Sequence, residues 1–305
     1  MLRVTSNMMS SQLLLNLNRN ARTMNDTQLQ LSTGRKINKP SDDPVGITYS
    51  LRYRAELSSN EQYTRNVDSS LSWLDYNDTV LGQAGDVVQR LRELTVQAST
   101  GSNPQSALDS INEEVMQLKQ QLVDISNSKL NGKYIFNGEK YDSKPYDFAI
   151  GVDGTYDTSK AITTDPGEIQ YIVGEGVQMP INMTGNDVFG KTGDADNLFT
   201  IINNISAGLK SGNITAVSKE LDNIDTRTET ILSARSEIGA KTNRVELMQG
   251  RLSDLNTNLT DLQAKTEDAD YEGLIMKSKI QENIYNASLS VGAKIISATL
   301  VDFIR

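Results

Sequence analysis

The 305-residue sequence contains no cysteine and no histidine. That excludes disulfides, thiolate nucleophiles, Cys/His zinc sites and imidazole general bases together. Proline is scarce, at 6 residues, and aromatics make up 6% of the chain, so long helices with thin aliphatic seams are expected rather than a thick core. No stretch approaches the ~18 apolar residues of a membrane span. Positive charge is outweighed: 30 Lys and Arg face 39 Asp and Glu, a formal net charge of -9. With no basic tract, neither nucleic acid nor an anionic membrane is an expected partner, and no cofactor, metal or small-molecule substrate is indicated. The opening MLRVTSNMMSSQ lacks the basic segment and apolar run of a cleaved secretory signal. Export, if it occurs, is expected by another route.

What the chain does have is helical periodicity at both ends. Leu13, Leu14, Leu17, Ala21, Met24 and Leu31 mark a first helix over about residues 5–33, with positions 14, 17, 21, 24, 28 and 31 in alternating 3 and 4 spacing. Gly34 can end it in the left-handed conformation. At the other end, Asp268 or Asp270 can cap a last helix that carries Ile284, Leu289, Val291, Ile295, Ile296, Leu300 and Phe303. Two such helices bury little between them, and ordering them costs roughly 1 to 2 kcal/mol per residue. Residues up to about 34 and from about 270 are therefore expected to be disordered in the free chain and helical once neighbouring chains cover them.

After the first helix comes INKPSDDP, a loop in which Asp43, beside Asp42, caps a helix opened by Pro44. That helix is expected to reach about Thr100 on the seam Tyr53, Leu57, Asn60, Thr64, Val67, Leu71, Leu74, Asp78, Leu81, Gly85 and Val88, a rod of roughly 85 Å. Asn103-Pro104 restarts a facing helix through Leu108, Ile111, Val115, Leu118, Leu122 and Ile125. Asn131-Gly132 and Asn137-Gly138 bracket KYIF, Asp153-Gly154 follows, and strands are expected at 169–173 and 177–183. Helix returns at Asp196. From Ile214 to Leu259 the 3 and 4 spacing holds for about seven heptads, with Arg235, Thr242, Gln249 and Asn256 expected to set register or face solvent.

The expected fold class is mainly α: an elongated multi-helix rod, a long-helix bundle or coiled coil built from both chain halves, with a small β-rich insertion and paired terminal helices. The expected domains are a terminal coiled-coil assembly domain (1–43 and 266–305), a helical rod domain (44–130 and 194–265) and a small β-rich outer domain (131–193). GNDVFGKT at 185–192 matches the phosphate-loop pattern, but no buried strand precedes it and Gly193-Asp194 would interrupt the helix that should start at Lys191. Nucleotide binding is not expected. Asp194 and Asp196, and Glu267 with Asp268 and Asp270, lack calcium-loop spacing and read as helix-start acids.

Three segments carry a family resemblance: LSTGRKINKPSDDPVG at 31–46, RLRELTVQASTG at 90–101 and YNASLSVGAKIISATLVDFIR at 285–305. In this order and spacing they resemble the bacterial flagellin superfamily, and the likeness covers the chain outside 131–193. VTSNMM near the start and the closing segment are similar to the branch of that superfamily that joins hook to filament. The resemblance implies a structural protein of the bacterial flagellum and no enzyme. It would connect the hook, through the first hook-associated protein, to the flagellin filament, with a filament subunit as the alternative. The implied partners are further copies of itself in a ring, the first hook-associated protein, flagellin, an export chaperone and the flagellar type III export apparatus. The implied location is extracellular, reached without a cleaved signal peptide. The residues carried over are the apolar terminal positions above, the linker residues Asp42, Asp43 and Pro44, and Arg90, Arg92, Glu93 and Leu94. RLRELTVQA also resembles a flagellin surface that some innate immune receptors recognise; an ordinary helix face that packs between subunits is the plainer reading.

Overall fold

The computed structural model describes residues 6–101, 103–151, 155–160 and 162–301, with side chains for those between 8 and 294. Among the described residues the protein is mainly α. Its helices are α1 (Ser6–Thr33), α2 (Pro44–Ser99), α3 (Gln105–Ser126), α4 (Gly185–Phe189), α5 (Leu198–Ser211), α6 (Ile214–Glu267) and α7 (Tyr271–Val301). Two antiparallel hairpins complete it, β1 (Lys129–Leu130) with β2 (Lys133–Tyr134) and β3 (Gln170–Gly174) with β4 (Val177–Pro180). Among the described residues no helix is long and apolar enough to cross a membrane. By compactness the chain divides into Asn60–Ser253 and the described parts of Met1–Ser59 with Asp254–Arg305; α2 and α6 contribute to both units.

The sequence signals act where expected at most helix ends. Gly34 takes φ 70° after α1, and its amide donates to Gln30 O at 2.9 Å. Helix α5, expected from Asp196, starts at Leu198 instead, where Asn197 caps it by accepting from Thr200 N at 3.2 Å, and Gly212 closes it at φ 66°. Asp270, the cap of α7, accepts from Gly273 N at 3.1 Å.

The unit Asn60–Ser253 holds the contiguous hydrophobic core. On α6 a single heptad position is buried seven times over, at Val217, Ile224, Ile231, Ile238, Val245, Leu252 and Leu259, the last in the other unit. Across from it, α2 runs antiparallel: Arg92 pairs with Asp225 (2.6 Å), Asp78 with Arg235 (2.9 Å) and Asp68 with Gln249 (2.9 Å). Arg235 and Gln249 are therefore partners of acids on α2, while Asn256 is exposed.

One narrow seam on α2 was the expectation; the structure buries two. Ser70, Trp73, Asn77, Val80, Ala84, Val87, Leu91 and Leu94 join the anticipated set, because α2 is sandwiched in this unit. Low aromatic content also misleads here. Four of the five Phe, residues 136, 148, 189 and 199, gather with Tyr146 at ring-centroid distances of 5.0 to 6.1 Å, forming a local globular core.

The insertion has fewer strands than its turn signals suggest. Asn131-Gly132 does make a two-residue hairpin turn, with Leu130 opposite Lys133. Asn137-Gly138 does not: Ile135 and Phe136 leave the sheet for the core, and the Asn137 side chain pins the following loop. The expected turn at Asp153-Gly154 lies outside the described residues. The β3–β4 hairpin turns at Gly176 (φ 70°) and is held to α2 by Asn66 Nδ2 donating to Ile172 O at 2.8 Å.

Candidate assembly surface

The unit formed by the chain ends has almost no core of its own. Among its described side chains the fully buried apolar residues are Ile37, Leu259 and Leu274. Its organisation comes from one packed helix pair, α1 on α7, and from one buried carboxylate.

Along α1 the inward seam is Leu13, Leu17, Asn20, Met24, Thr27 and Leu31. Leu13, Leu17, Met24 and Leu31 thus stand on the covered side, Ala21 is half-buried beside them, and Leu14 is 60% exposed. The seam keeps positions 17, 24 and 31 of the expected one and moves by one residue at the other three, to 13, 20 and 27. Spacing of 3 and 4 fits either phase, and Thr27 can be buried because its hydroxyl donates to Thr23 O at 2.9 Å.

On α7 the covered face differs more from the expected one. Its covered side is Leu274, Ser278, Gln281, Tyr285, Ser288 and Gly292, a seam of small and polar residues in 4 and 3 spacing. Gly292 lets the helices approach: a Cβ there would lie 2.8 Å from Leu13 Cδ2. Ile284, Leu289 and Val291 are on no inward face; they are 47%, 45% and 52% exposed. Met276, Ile280, Ile284 and Val291 form an open stripe in 4, 4 and 7 spacing. The side chains of Ile295, Ile296 and Leu300, and all of Phe303, lie outside the described residues.

The linker works as its composition suggests. Asp43 Oδ1 accepts from Val45 N and Gly46 N at 3.1 and 2.9 Å, capping α2 with Pro44 at its first position. Asp42 Oδ2 accepts from Lys39 N and Asn38 N at 2.8 and 3.0 Å, and these amides hold its carboxyl below the usual range. A Cβ at Gly46 would stand 2.7 Å from Ile37 Cδ1, so a side chain there would displace Ile37.

The residue that organises this unit is Glu267, which the sequence suggested only as a helix-start acid. Its side chain is 2% exposed. It accepts from Arg54 Nε at 2.8 Å and Arg54 NH2 at 2.5 Å, from Ser50 Oγ, and lies 3.4 Å from Arg35 Nε. The Arg54 hydrogen bond, with help from Ser50, outweighs burial and lowers the carboxyl from 4.5 to about 2. Its backbone carbonyl accepts from Lys36 N at 2.7 Å, and Ala269 N donates to Gly34 O at 3.0 Å. One carboxylate thus joins the ends of α1 and α6 to the first turns of α2. The available signal was Ser50 and Arg54 four apart on a helix, with Arg35 in the preceding loop.

Arg90, Arg92, Glu93 and Leu94 belong to the other unit and are internal fasteners. Arg90 binds Glu114 (2.8 Å) and Glu93 (3.0 Å), Arg92 binds Asp225, and Leu94 is buried in the core. Leu94 therefore offers no surface to a receptor. In the phosphate-loop-like segment, the only helix is Gly185–Phe189, mostly buried; it ends before Lys191, whose amide donates to Asp194 Oδ2 at 3.0 Å. No helix begins at Lys191 to hold phosphate. Asp196 is committed to Arg227 at 2.5 Å.

Comparison with known proteins finds similarity to flagellar proteins. The model of the bacterial flagellin N-terminal helical region matches residues 4–141. The flagellar hook-associated protein 3 of Salmonella typhimurium is 26% identical over 274 residues, 85% of this chain and 86% of that one. Residues 4–141 thus carry a flagellin N-terminal helical region. A flagellin of Bacillus subtilis is 26% identical over 286 residues, 88% of each chain. In fold, a putative flagellar hook-associated protein from Vibrio parahaemolyticus superposes with TM-score 0.66 at 22% identity, covering 74% of this chain and 100% of that one.

Proposed function

We propose that this protein is a hook-associated structural component of the bacterial flagellum, the junction between hook and filament, and that it assembles through α1 and α7. The observation that carries the reading is the similarity to the Salmonella hook-associated protein 3, which covers 85% of this chain and 86% of that one. The chain is a structural part of the flagellum and assembles with other flagellar components. The finer partners are proposals: copies of itself in a ring, the first hook-associated protein on the hook side, flagellin on the filament side, and a chaperone and type III apparatus for export without signal cleavage. Residues 1–43 with 266–305 would carry assembly, 44–130 with 194–265 the helical support, and 131–193 the outer face.

The physical support is the stripe on α7. Burying a Met, Ile or Val side chain contributes about 1.5 to 3 kcal/mol. Four such residues, with Met8, Leu14 and Leu15 exposed on α1, give neighbouring subunits enough apolar surface to offset the ordering of two helices that bury little between themselves. Asp42, Asp43 and Pro44 would set the path from the assembling helices into α2.

A filament subunit is the second reading, favoured by the similarity to the Bacillus flagellin over 88% of each chain. Deleting the gene and imaging cell-attached structures separates the two. Bare hooks with unpolymerised flagellin in the medium are expected for a junction. Loss of the flagellin band itself would make the chain a filament subunit, and normal filaments would overturn both.

A further inference from the structure

The chain has two Asn-Gly pairs, and the fold treats them oppositely. An asparagine followed by glycine is the pair in which backbone attack on the side-chain amide meets least steric resistance, because the attacking nitrogen belongs to a residue without a Cβ.

Asn137 is locked. Its Nδ2 donates to Lys140 O, Ser143 O and Ser143 Oγ, each at 3.0 Å, and its Oδ1 accepts from Asp165 N at 3.2 Å. The residue is 6% exposed, so its amide carbon can neither rotate towards the Gly138 nitrogen nor meet water. Asn131 is the reverse case. Asn131 and Gly132 are both exposed, at φ 51° and 80°, and Asn131 is the only described non-glycine residue with positive φ. Among the described residues its side chain has no hydrogen-bond partner, and the turn is flanked by strands of only two residues each. So short a hairpin opens readily.

We propose that Asn131 is a site of spontaneous covalent modification, deamidation through a cyclic imide, and that Asn137 is protected. The Gly132 backbone nitrogen gives up its proton and bonds to Asn131 Cγ. The Cγ–Nδ2 bond breaks, and Nδ2 leaves as ammonia with that proton. Water then opens the imide at either carbonyl, leaving aspartate or isoaspartate at position 131. No oxidant or enzyme is required.

The isoaspartate product lengthens the backbone by one atom, which a two-residue turn cannot absorb while keeping Leu130 opposite Lys133. Either product adds a negative charge between Lys129 and Lys133, whose ammonium groups lie 4.3 Å from the ring centroids of Tyr134 and Tyr141. The turn thereby records the age of the folded chain.

The test is peptide mapping by mass spectrometry of the native chain held in mildly alkaline buffer, beside the same chain in concentrated urea, with isoaspartyl methyltransferase labelling as second readout. In urea both asparagines convert. In the native chain Asn131 is expected to convert within a few-fold of its urea rate, while Asn137 is slowed by at least about tenfold, since its hydrogen bonds must open first. Methyl label should appear in the peptide containing position 131. Retention of the Asn131 amide in the native chain, or native conversion of Asn137 as fast as Asn131, overturns the proposal.

Discussion

Glu267 shows how a single side chain can stand in for a core. The unit of the chain ends has few buried apolar residues, yet it buries a carboxylate with Arg54, Ser50 and Arg35 around it. Burying a charge is unfavourable unless it is paired, and removing the charge leaves Arg54 and Ser50 without their acceptor. The carboxyl is held at about 2, below the ordinary 4.5. A depressed acid stabilises the fold fully above its unfolded value and loses that contribution as pH falls towards the folded one. The loss should therefore develop between pH about 4.5 and about 2, and amounts to roughly 3 kcal/mol. In urea titrations followed by helix circular dichroism, the wild-type midpoint should fall across this interval, while Glu267→Gln should start lower and stay flatter there. An equal decline in both would remove Glu267 as the cause. Sequence reading found Asp43, because a cap acts on amides two or three residues away. It did not find the role of Glu267, whose partners lie 213 and 217 residues distant.

At the scale of elements, helix positions were legible and helix faces were not. Gly34, Pro44, Asn103-Pro104, Gly212 and Asp270 bound the helices through local backbone chemistry. Which side of a helix is covered depends on the neighbour. On α7 Met276, Ile280, Ile284 and Val291 look outward, while Ser278, Gln281, Ser288 and Gly292 look in beside Leu274 and Tyr285, and the close approach to α1 is at Gly292. This arrangement makes a sharp prediction about assembly. Ile280→Asp with Ile284→Asp should leave the free chain's helix content within a few per cent of wild type, because both side chains are exposed already. The same variant should fail to restore filaments to the deletion strain and should remain monomeric on sedimentation. Normal motility from it would show that the stripe is not covered in the flagellum.

For the whole molecule, the distribution of burial predicts unequal stability. The contiguous core lies within Asn60–Ser253 together with Trp73, the sole tryptophan of the chain. Unfolding of the terminal helices should thus be visible as lost helix signal before Trp73 fluorescence changes, giving non-coincident denaturation curves. Amide exchange should agree, with α1 and α7 exchanging faster than α3 and α5. Coincident curves and uniform protection would show the ends to be as firmly folded as the core, contrary to the expectation of ends ordered only on assembly. The sequence could not reveal the aromatic cluster, because Phe136, Phe148, Phe189 and Phe199 are scattered in loops and short elements with no common period. It did reveal the long seam of α6, whose period is its own signature.

That seam acts as a vernier. Its apolar graduations repeat every seven residues, so sliding α6 by one heptad against α2 would again bring aliphatic side chains into line. The polar graduations do not repeat: Arg92 with Asp225, Asp78 with Arg235 and Asp68 with Gln249 coincide at one setting alone, with the sign of charge on α2 changing between the first mark and the other two. Exposed pairs of this kind add little stability. Their value lies in making every other setting misread, so that two helices of more than fifty residues close on a single alignment.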